Sequence, residues 1–181
     1  DPDLGSTKSS LTGLQVNRFL HIVESADDLV NQNRMQRKLG QQTGTCFQRC
    51  VGMDALNSLY STTFDIDKKY DSKYHDRLVN FIKMIQYENV VIGGTMTDAK
   101  GDRSLSPSQQ DDPDMFVHIV KRDDKGVYIK GAKAHQTGCI NSHWLIIMPT
   151  MRLRSEDKDY AIVGAIQVVA KVITYIYGLQ F

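Results

Sequence analysis

The sequence is poor in net charge and in long apolar runs, and both shortages exclude classes of partner. Among 181 residues, 22 Lys and Arg oppose 21 Asp and Glu, which leaves a formal net charge of +1 at pH 7. A chain this close to neutral has no general attraction to nucleic acid or to an anionic membrane. No apolar run is long enough to cross a bilayer, and no signal-peptide pattern opens the chain. We therefore expect a cytoplasmic protein with no nucleic-acid and no membrane partner.

Cysteine is also scarce, with three residues in the chain. An odd number of cysteines without a secretory signal favours reduced thiols that are available as ligands. The chain begins Asp-Pro-Asp-Leu-Gly, without an initiator methionine. Its other end lies inside the apolar run 172–181. That run predicts a β-strand that should continue. We expect this sequence to be part of a longer protein.

Two of the cysteines stand four residues apart in the run Thr-Cys-Phe-Gln-Arg-Cys-Val-Gly-Met-Asp-Ala-Leu, as Cys46 and Cys50. Phe47, Met53 and Leu56 recur at steps of three or four residues, which predicts a helix. Two thiols at this spacing on a helix share one face, about 6 Å apart along the axis. They can ligate one soft metal centre from the same side. The spacing fits two small buried hydrophobic side chains equally well.

The two halves of the chain follow different patterns. Up to about residue 88 the apolar spacing is helical. It predicts a helix over 14–30, which breaks and restarts at an N-cap on Ser25. A connector at 40–44 precedes the cysteine helix, and a third helix is predicted over about 71–87. From residue 90 on the sequence predicts short strands at 90–94, 115–120, 127–130, 144–148 and 160–166, with a hairpin turn at 123–126. Helices followed by antiparallel strands predict an α+β fold, with domains at 1–88 and 89–181.

Two polar segments interrupt the strands. Residues 96–114 form a long loop rich in hydrogen-bond donors, and Arg103 offers a planar fork suited to a polar cofactor or a phosphate. The second segment reads Gly-Ala-Lys-Ala-His-Gln-Thr-Gly, where small residues allow a ligand to approach the backbone beside His135, Gln136 and Thr137. On composition alone, the first segment fits a solvated surface loop equally well, and the histidine of the second segment fits a structural role.

Several runs taken together resemble a known family. Cys-Phe-Gln-Arg-Cys-Val-Gly-Met-Asp-Ala, Met-Thr-Asp-Ala-Lys-Gly-Asp-Arg, Gly-Ala-Lys-Ala-His-Gln-Thr-Gly and Asn-Ser-His-Trp-Leu-Ile-Ile-Met-Pro-Thr stand in this order. They closely resemble the dehydratase branch of the flavin-dependent 4-hydroxyphenylacetate 3-hydroxylase family. The resemblance implies an acyl-CoA dehydrogenase-like subunit with N-terminal helices and a middle, mostly antiparallel β-domain. The C-terminal helical bundle of that subunit is missing from this sequence.

The resemblance also implies site residues and cofactors. Two of the cysteine ligands of a 4Fe-4S cluster match Cys46 and Cys50, and the remaining ligands lie outside this sequence. Thr137 is implied as the catalytic residue, close to flavin and substrate. The FAD-binding residues implied by the family are Met96, Thr97, Asp98, Ala99, Lys100, Gly101, Asp102, Arg103, His135, Gln136 and Thr137.

The implied activity is the dehydration of 4-hydroxybutyryl-CoA to crotonyl-CoA by a ketyl-radical mechanism, with vinylacetyl-CoA Δ-isomerase activity. The implied partners are an acyl-CoA substrate and further copies of the subunit, as a homotetramer. This stretch of chain alone should be inactive, because part of the catalytic machinery lies elsewhere.

Two other functions compete with this one. A two-component flavin-dependent hydroxylase of phenolic substrates shares the fold but has no use for Cys46 and Cys50. A non-catalytic metal-binding module would gather zinc on Cys46, Cys50, Cys139 and His135, as tetrahedral Cys/His sites do. Iron and zinc content separates the three hypotheses.

Overall fold

The computed structural model describes residues 2–46 and 49–178. The chain divides into two compact units, Asp1–Gly94 and Thr95–Phe181. Helices make up most of the first unit, and the second consists of short antiparallel strands and irregular segments. The α+β class predicted from the sequence is thereby confirmed.

The first unit opens with a short helix and a hairpin, which are α1 (Pro2–Gly5), β1 (Ser6–Lys8) and β2 (Gln15–Asn17). Thr7 lies opposite Val16 in this antiparallel pair. After a 3-10 turn at Arg18–Leu20 come three helices, namely α2 (Ala26–Thr43), α3 (Cys50–Tyr70) and α4 (Tyr74–Glu88). Phe19, Met35 and Met53 form a buried cluster among these elements.

The helix predicted for residues 14–24 is wrong, because this stretch is a strand, a 3-10 turn and extended chain. Arg18 is 4% exposed, and its guanidinium donates to the carbonyls of Leu4 at 2.9 Å and Ser6 at 3.0 Å. The Asn57 side chain accepts from Val23 N–H at 2.7 Å. The Asn57 bond satisfies a backbone donor of this stretch without a helix, and the Arg18 bonds tie the stretch to residues 4 and 6. Apolar spacing cannot reveal such partners.

The predicted restart at Ser25 is confirmed, since its hydroxyl accepts from Asp28 N–H at 3.1 Å and caps α2. The predicted connector at 40–44 is wrong. The helix continues through Gly40 to Thr43 and ends at Gly44, whose φ of +66° is left-handed. Gly44 N–H donates to Gly40 O at 2.8 Å, so glycine supplies the C-cap here.

The helix predicted to carry both cysteines begins only at Cys50, so Cys46 lies outside it. Phe47, which contributed to that prediction, lies outside the described residues. The first helical backbone bond of α3 runs from Met53 N–H to Arg49 O at 3.2 Å. The left-handed Gly44 ends α2, so the connection to α3 includes Cys46.

The third predicted helix is confirmed as α4, with Ile82 and Ile85 fully buried on its inner face. Its N-terminus is capped from the end of α3. The Asp67 carboxylate accepts from Tyr74 N–H at 3.0 Å and from His75 N–H at 2.8 Å. These bonds satisfy donors that a helix N-terminus leaves free.

After α4 the chain forms short strands, and the five strands predicted between residues 90 and 166 are all present with displaced ends. The strands are β3 (Ile92–Thr95), β4 (His118–Asp123), β5 (Gly126–Lys130), β6 (Trp144–Ile147) and β7 (Gly164–Gln167). The turn predicted at 123–126 is confirmed, because Asp123 pairs with Gly126 in the β4–β5 hairpin. β6 pairs with β7, and Met148 N–H donates to Thr95 O at 3.3 Å.

The strand predicted for 172–181 is not formed in its described part, since residues 173–178 have no regular structure. The Tyr175 hydroxyl donates to Val168 O at 2.9 Å, which folds this segment back on the preceding chain. Residues 179–181 lie outside the described part of the chain. Among the helices of residues 2–46 and 49–178, none has the length and apolar character needed to span a membrane.

A buried carboxylate helps to hold the long loop after β3. Asp157 is fully buried, and its Oδ1 accepts from the Ser108 backbone N–H at 3.0 Å and hydroxyl at 2.6 Å. Its Oδ2 accepts from Arg154 N–H at 3.0 Å. Burial alone would raise the pKa of Asp157, but these hydrogen bonds outweigh it and lower the pKa to about 2.

The contact between α3 and β3 provides a first prediction. A Cβ added at Gly52 would lie 2.2 Å from Ile92 O, which is a backbone atom. We expect Gly52→Ala to lower the free energy of unfolding by about 1–3 kcal/mol, as overpacking does. At Gly40, in α2, an added Cβ meets only Thr45 O at 3.8 Å. Gly40→Ala should therefore stabilise by about 0.5–1 kcal/mol through helix propensity. Urea unfolding of both variants measures the change in the free energy of unfolding. Equal destabilisation of the two variants would contradict the packing argument.

Asp157 provides a second prediction, on acid stability. Because its pKa is lowered in the folded state, its contribution to stability is complete above the unfolded-state pKa near 4. That contribution is lost as the pH falls from there towards about 2. Asp157→Asn should be less stable than the parent at pH 7, and its stability should fall less steeply between those pH values. Denaturant unfolding across the acid range measures this, and parallel pH curves for the two proteins would contradict it.

Candidate functional site

The two polar segments singled out in the sequence meet in the second unit. Ala134 N–H donates to Thr97 O at 2.9 Å, and Asp98 forms an isolated antiparallel bridge with Lys133. The loop that begins at Met96 is therefore bonded directly to the segment that contains His135. The structure brings together two groups of predicted residues that are far apart in sequence.

A buried ion pair holds this junction. Lys133 Nζ lies 2.5 Å from Asp98 Oδ1, and both side chains are 7% exposed. The same ammonium donates to Met96 O at 3.0 Å and to Met148 O at 2.7 Å. Asp98 Oδ2 accepts from the Thr150 hydroxyl at 2.9 Å. All three ammonium donors and both carboxylate oxygens are thus occupied, so Asp98 acts here as an internal tether.

The following turn, residues 101–105, is organised by Gln110. Its Oε1 accepts from Asp102 N–H at 2.9 Å, and its Nε2 donates to Asp102 O at 2.8 Å. The Asp102 carboxylate in turn accepts from the Ser104 hydroxyl at 2.7 Å and backbone N–H at 2.8 Å, which lower the pKa of Asp102. Gly101 enters the turn with a φ of +26°.

Lys100 and Arg103 project from this loop as exposed side chains, and no ion pair to either of them is found in the part of the chain that the structure describes. Met96 and Thr97 are exposed, whereas Ala99 is half-buried. The loop therefore offers two cations on a backbone whose polar groups are held from within. Such groups are suited to an anionic or polar ligand.

The second segment carries backbone strain. His135 has a φ of +56°, in the left-handed region that a non-glycine residue rarely adopts. Gln136 Nε2 donates to Ala134 O at 2.5 Å, and Gln136 O accepts from Cys139 N–H at 3.0 Å. Thr137 is exposed. Strain of this kind costs about 1–3 kcal/mol and is concentrated at functional sites.

A cavity of about 830 Å³ lies beside this segment. His135, Gln136 and Thr137 line it, whereas residues 96–103 do not. Apolar side chains form most of the remaining wall, including Ile129, Leu145, Ile147, Ile166 and those of the chain segment at 172–178. A volume of this size, with a few polar groups on an apolar wall, is typical of a cofactor or substrate site.

The first unit contains the cysteine pair. Cys46 is exposed and Cys50 is half-buried at the start of α3. Burial raises the pKa of the Cys50 thiol, and the neighbouring Cys46 adds to the rise through charge repulsion and a side-chain hydrogen bond. The thiols are therefore neighbours even though they do not share a helix. The predicted proximity of the pair survives the loss of the predicted helix.

Arg49 lies directly before Cys50, with its guanidinium 4.4 Å from the centre of the Phe19 ring. Its Nε is buried and lacks a hydrogen-bond partner within the described structure, and burial lowers the pKa of the side chain. A buried donor without a partner is uncommon in proteins. Arg49 Nε is such a donor, at the residue that precedes the N-terminus of α3.

Residues 2–46 and 49–178 contain no group of three or more Cys, His, Asp or Glu side chains that could hold a metal ion. The zinc module considered from the sequence would need such a group.

Sequence reasoning missed three residues of this region. Lys133 was part of a quoted motif but was not given a role, and neither Gln110 nor Arg49 was singled out. Each acts through a contact made in the folded chain, to Asp98, Asp102 and Phe19 respectively. The one available signal was a lysine between two alanines at a strand end, next to the predicted ligand segment.

Comparisons with known proteins agree with the sequence resemblance. A curated relative, the 4-hydroxybutyryl-CoA dehydratase/vinylacetyl-CoA-Delta-isomerase of Clostridium aminobutyricum, is 51% identical over 178 residues, which cover 98% of this chain and 36% of the relative. The solved structure of an oxygen-tolerant archaeal 4-hydroxybutyryl-CoA dehydratase from N. maritimus matches with a TM-score of 0.96 and 69% identity, over 99% of this chain and 36% of that one. The chain thus spans about a third of the length of these relatives.

A more distant structure shares the fold. The oxygenase component of 4-hydroxyphenylacetate 3-monooxygenase, solved with FAD, matches with a TM-score of 0.69 at 16% identity, over 92% of this chain and 33% of that one. The family model for the N-terminal part of 4-hydroxyphenylacetate 3-hydroxylase matches residues 1–181. With the whole chain matched and with 51% identity to a curated relative, the chain belongs to the 4-hydroxyphenylacetate 3-hydroxylase N-terminal family.

Proposed function

We propose that this chain is the N-terminal part of a flavin- and 4Fe-4S-dependent dehydratase. The reaction is the conversion of 4-hydroxybutyryl-CoA to crotonyl-CoA and water, with vinylacetyl-CoA Δ-isomerase activity. One observation carries the proposal, namely that nearly the whole chain aligns with two proteins named as 4-hydroxybutyryl-CoA dehydratases, at 51% and 69% identity. The hydroxylase alternative is supported by more distant relatives. A curated 4-hydroxyphenylacetate 3-monooxygenase oxygenase component from Thermus thermophilus is 23% identical over 114 residues, and the structure at 16% identity bears on the fold alone.

The second unit offers residues that fit FAD. Lys100 and Arg103 are exposed cations on an internally fixed loop, and His135, Gln136 and Thr137 border a cavity of about 830 Å³. In this proposal the FAD-binding stretch is residues 96–103 and 135–137. Within it, Asp98 contributes by fixing the loop to Lys133, because its carboxylate oxygens are already occupied.

The cysteine pair fits an iron–sulfur cluster better than it fits nucleophilic catalysis. Reactive cysteines have a lowered pKa, whereas burial and Cys46 raise the pKa of Cys50. Two neighbouring soft donors, one of them exposed, are suited to ligate iron. In this proposal Cys46 and Cys50 supply two of the ligands, and the remaining ligands come from sequence beyond this chain.

The β-hydrogen of the substrate is unactivated, so its removal needs help from the cofactors. They would supply one-electron chemistry and Lewis-acid assistance to the departing hydroxyl. Thr137 would donate its hydroxyl hydrogen towards the reacting groups from the rim of the cavity. The strained His135 backbone would fix the direction of that segment. Arg103 would hold a polar or anionic part of the flavin.

The organisation of the whole protein follows the same proposal. We infer an acyl-CoA dehydrogenase-like subunit in which residues 1–88 belong to an N-terminal helical domain and residues 89–181 to the middle β-domain. The complete protein would act on an acyl-CoA substrate in the cytoplasm as a homotetramer.

Iron content tests the proposal most directly. The test protein is a full-length polypeptide in which this chain replaces the matching segment of the 69%-identical archaeal relative. We expect Cys46→Ala and Cys50→Ala each to remove or degrade the cluster and to abolish dehydration, because each lost thiolate leaves an iron without its ligand. Iron per subunit and the visible absorption spectrum measured under anaerobic conditions report the result.

Cys139 provides the matched control for this experiment. It is buried in the second unit, away from the cysteine pair in sequence, and it lines the cavity. Cys139→Ser should leave the iron content unchanged. Iron loss in this control, or stoichiometric zinc without iron in the parent, would contradict the dehydratase assignment.

Flavin binding tests the loop. We expect Arg103→Ala in the same polypeptide to weaken FAD binding by about ten- to a hundredfold, since a hydrogen bond to a charged group contributes about 1.5–3 kcal/mol. Arg152 is also exposed and lies outside the proposed site, so Arg152→Ala is the control. Titration of the flavin-free protein with FAD measures both dissociation constants. Equal affinities in the two variants would remove Arg103 from the site.

A further inference from the structure

We propose that Gln110 is a positioning residue that sets the conformation of the flavin-binding turn at residues 101–105. The inference rests on the proposed function and extends it to a side chain outside the proposed FAD-binding stretch. Gln110 is 9% exposed, whereas Lys100 and Arg103 of the adjoining loop are exposed. The buried amide therefore acts on the turn from within, and the cations remain available on its outer side.

The amide of Gln110 binds the turn at both of its ends. Oε1 accepts from Asp102 N–H at 2.9 Å, while Nε2 donates to Asp102 O at 2.8 Å and to Leu105 O at 3.4 Å. One planar side chain thus replaces the backbone partners that residues 102 and 105 would have in a strand. Arg103 lies between these two bonded positions, so its backbone is fixed by contacts that Arg103 does not make.

Gly101 lies against the same side chain. A Cβ at this position would lie 2.4 Å from Gln110 Oε1 and 2.5 Å from Met115 Sδ, and the backbone has a φ of +26°. The backbone conformation favours glycine here, and an added Cβ would displace the Gln110 amide from the turn. Packing and hydrogen bonding give the same conclusion independently, that the turn is built around Gln110.

Gln110 is itself held at the base of the loop. It follows the 3-10 turn Pro107–Gln109, whose first residue is preceded by Ser106 in a capping box with Gln109. The buried Asp157 fixes Ser108 through two hydrogen bonds, at 3.0 Å to its N–H and 2.6 Å to its hydroxyl. The path from Asp157 through Ser108 to Gln110 links the turn to the packed part of the second unit.

A solvated loop without a ligand does not need this arrangement. Long polar loops usually gain enough hydrogen bonds from water, yet here a nearly buried amide uses its oxygen and its nitrogen on one turn. The result is a preformed backbone that carries Lys100 and Arg103. Preformation reduces the ordering cost of binding, which is the expected advantage for a cofactor loop.

The test uses the full-length polypeptide defined above, in its flavin-free form. Gln110→Met keeps the length of the side chain and removes its hydrogen bonds. We expect its dissociation constant for FAD to rise by about tenfold, the factor that about one net hydrogen bond of preorganisation represents. Gln110→Glu keeps the acceptor for Asp102 N–H but turns a carboxylate oxygen towards the carbonyls of Asp102 and Leu105, so it should lose at least as much affinity. Gln42→Met, at an exposed position in α2, is the matched control and should bind FAD as the parent does.

A second measurement locates the effect in the turn. Trypsin cleaves after Lys100 and Arg103, and cleavage requires local opening of the loop. Flavin-free Gln110→Met should be cut at these two sites faster than the parent, whereas Gln42→Met should not. A purely structural role would lower the melting temperature of Gln110→Met and leave FAD affinity and the rate at these two sites unchanged.

The outcomes separate this inference from the function on which it rests. A parent polypeptide that binds no FAD would overturn the proposed function and this inference together. A parent that binds FAD with an affinity that Gln110→Met does not change would overturn the inference alone. Weaker binding with faster cleavage at residues 100 and 103 in Gln110→Met, and weaker binding in Gln110→Glu, would support it.

Discussion

The candidate site in the second unit depends on one buried ion pair. Lys133 and Asp98 are each 7% exposed, and the ammonium also donates to the carbonyls of Met96 and Met148. Burying two charges has a large desolvation cost, which is offset here because every donor and acceptor has a partner. Removal of one partner would leave the other charge buried and unpaired, so neither residue can be replaced singly without loosening the junction. The loop, the strained segment at His135 and the sheet near Thr150 all meet at this pair.

The features that could be predicted from the sequence are those decided by near neighbours along the chain. Ser25 caps α2 because its hydroxyl reaches Asp28 N–H three residues later. The β4–β5 hairpin forms where Asp-Asp-Lys-Gly supplies a two-residue turn. In α4 the apolar spacing does mark the buried face, at Ile82 and Ile85. The candidate ligand segments were also found this way, because their composition differs from that of the strands around them.

The features that could not be predicted depend on distant partners. Apolar spacing at residues 14–24 suggested a helix, but the buried guanidinium of Arg18 and the amide of Asn57 hold that chain extended. The thiols of Cys46 and Cys50 are close for a reason other than a shared helix, since α3 begins at Cys50. The apolar run from residue 172 had the composition of a strand. In the described part it lacks a pairing partner and instead lines the cavity with irregular chain.

The cysteine pair shows how the environment selects the kind of chemistry. Burial and the neighbouring thiol both raise the pKa of Cys50, so the thiolate is disfavoured unless a positive centre arrives to stabilise it. A metal ion is such a centre, and binding it must release the proton. In the function proposed above, iron binding by Cys50 would therefore be weaker at low pH, where the raised pKa keeps its thiol protonated. The raised pKa of Cys50 is thus the behaviour expected of a metal ligand rather than of a catalytic nucleophile, whose pKa is lowered.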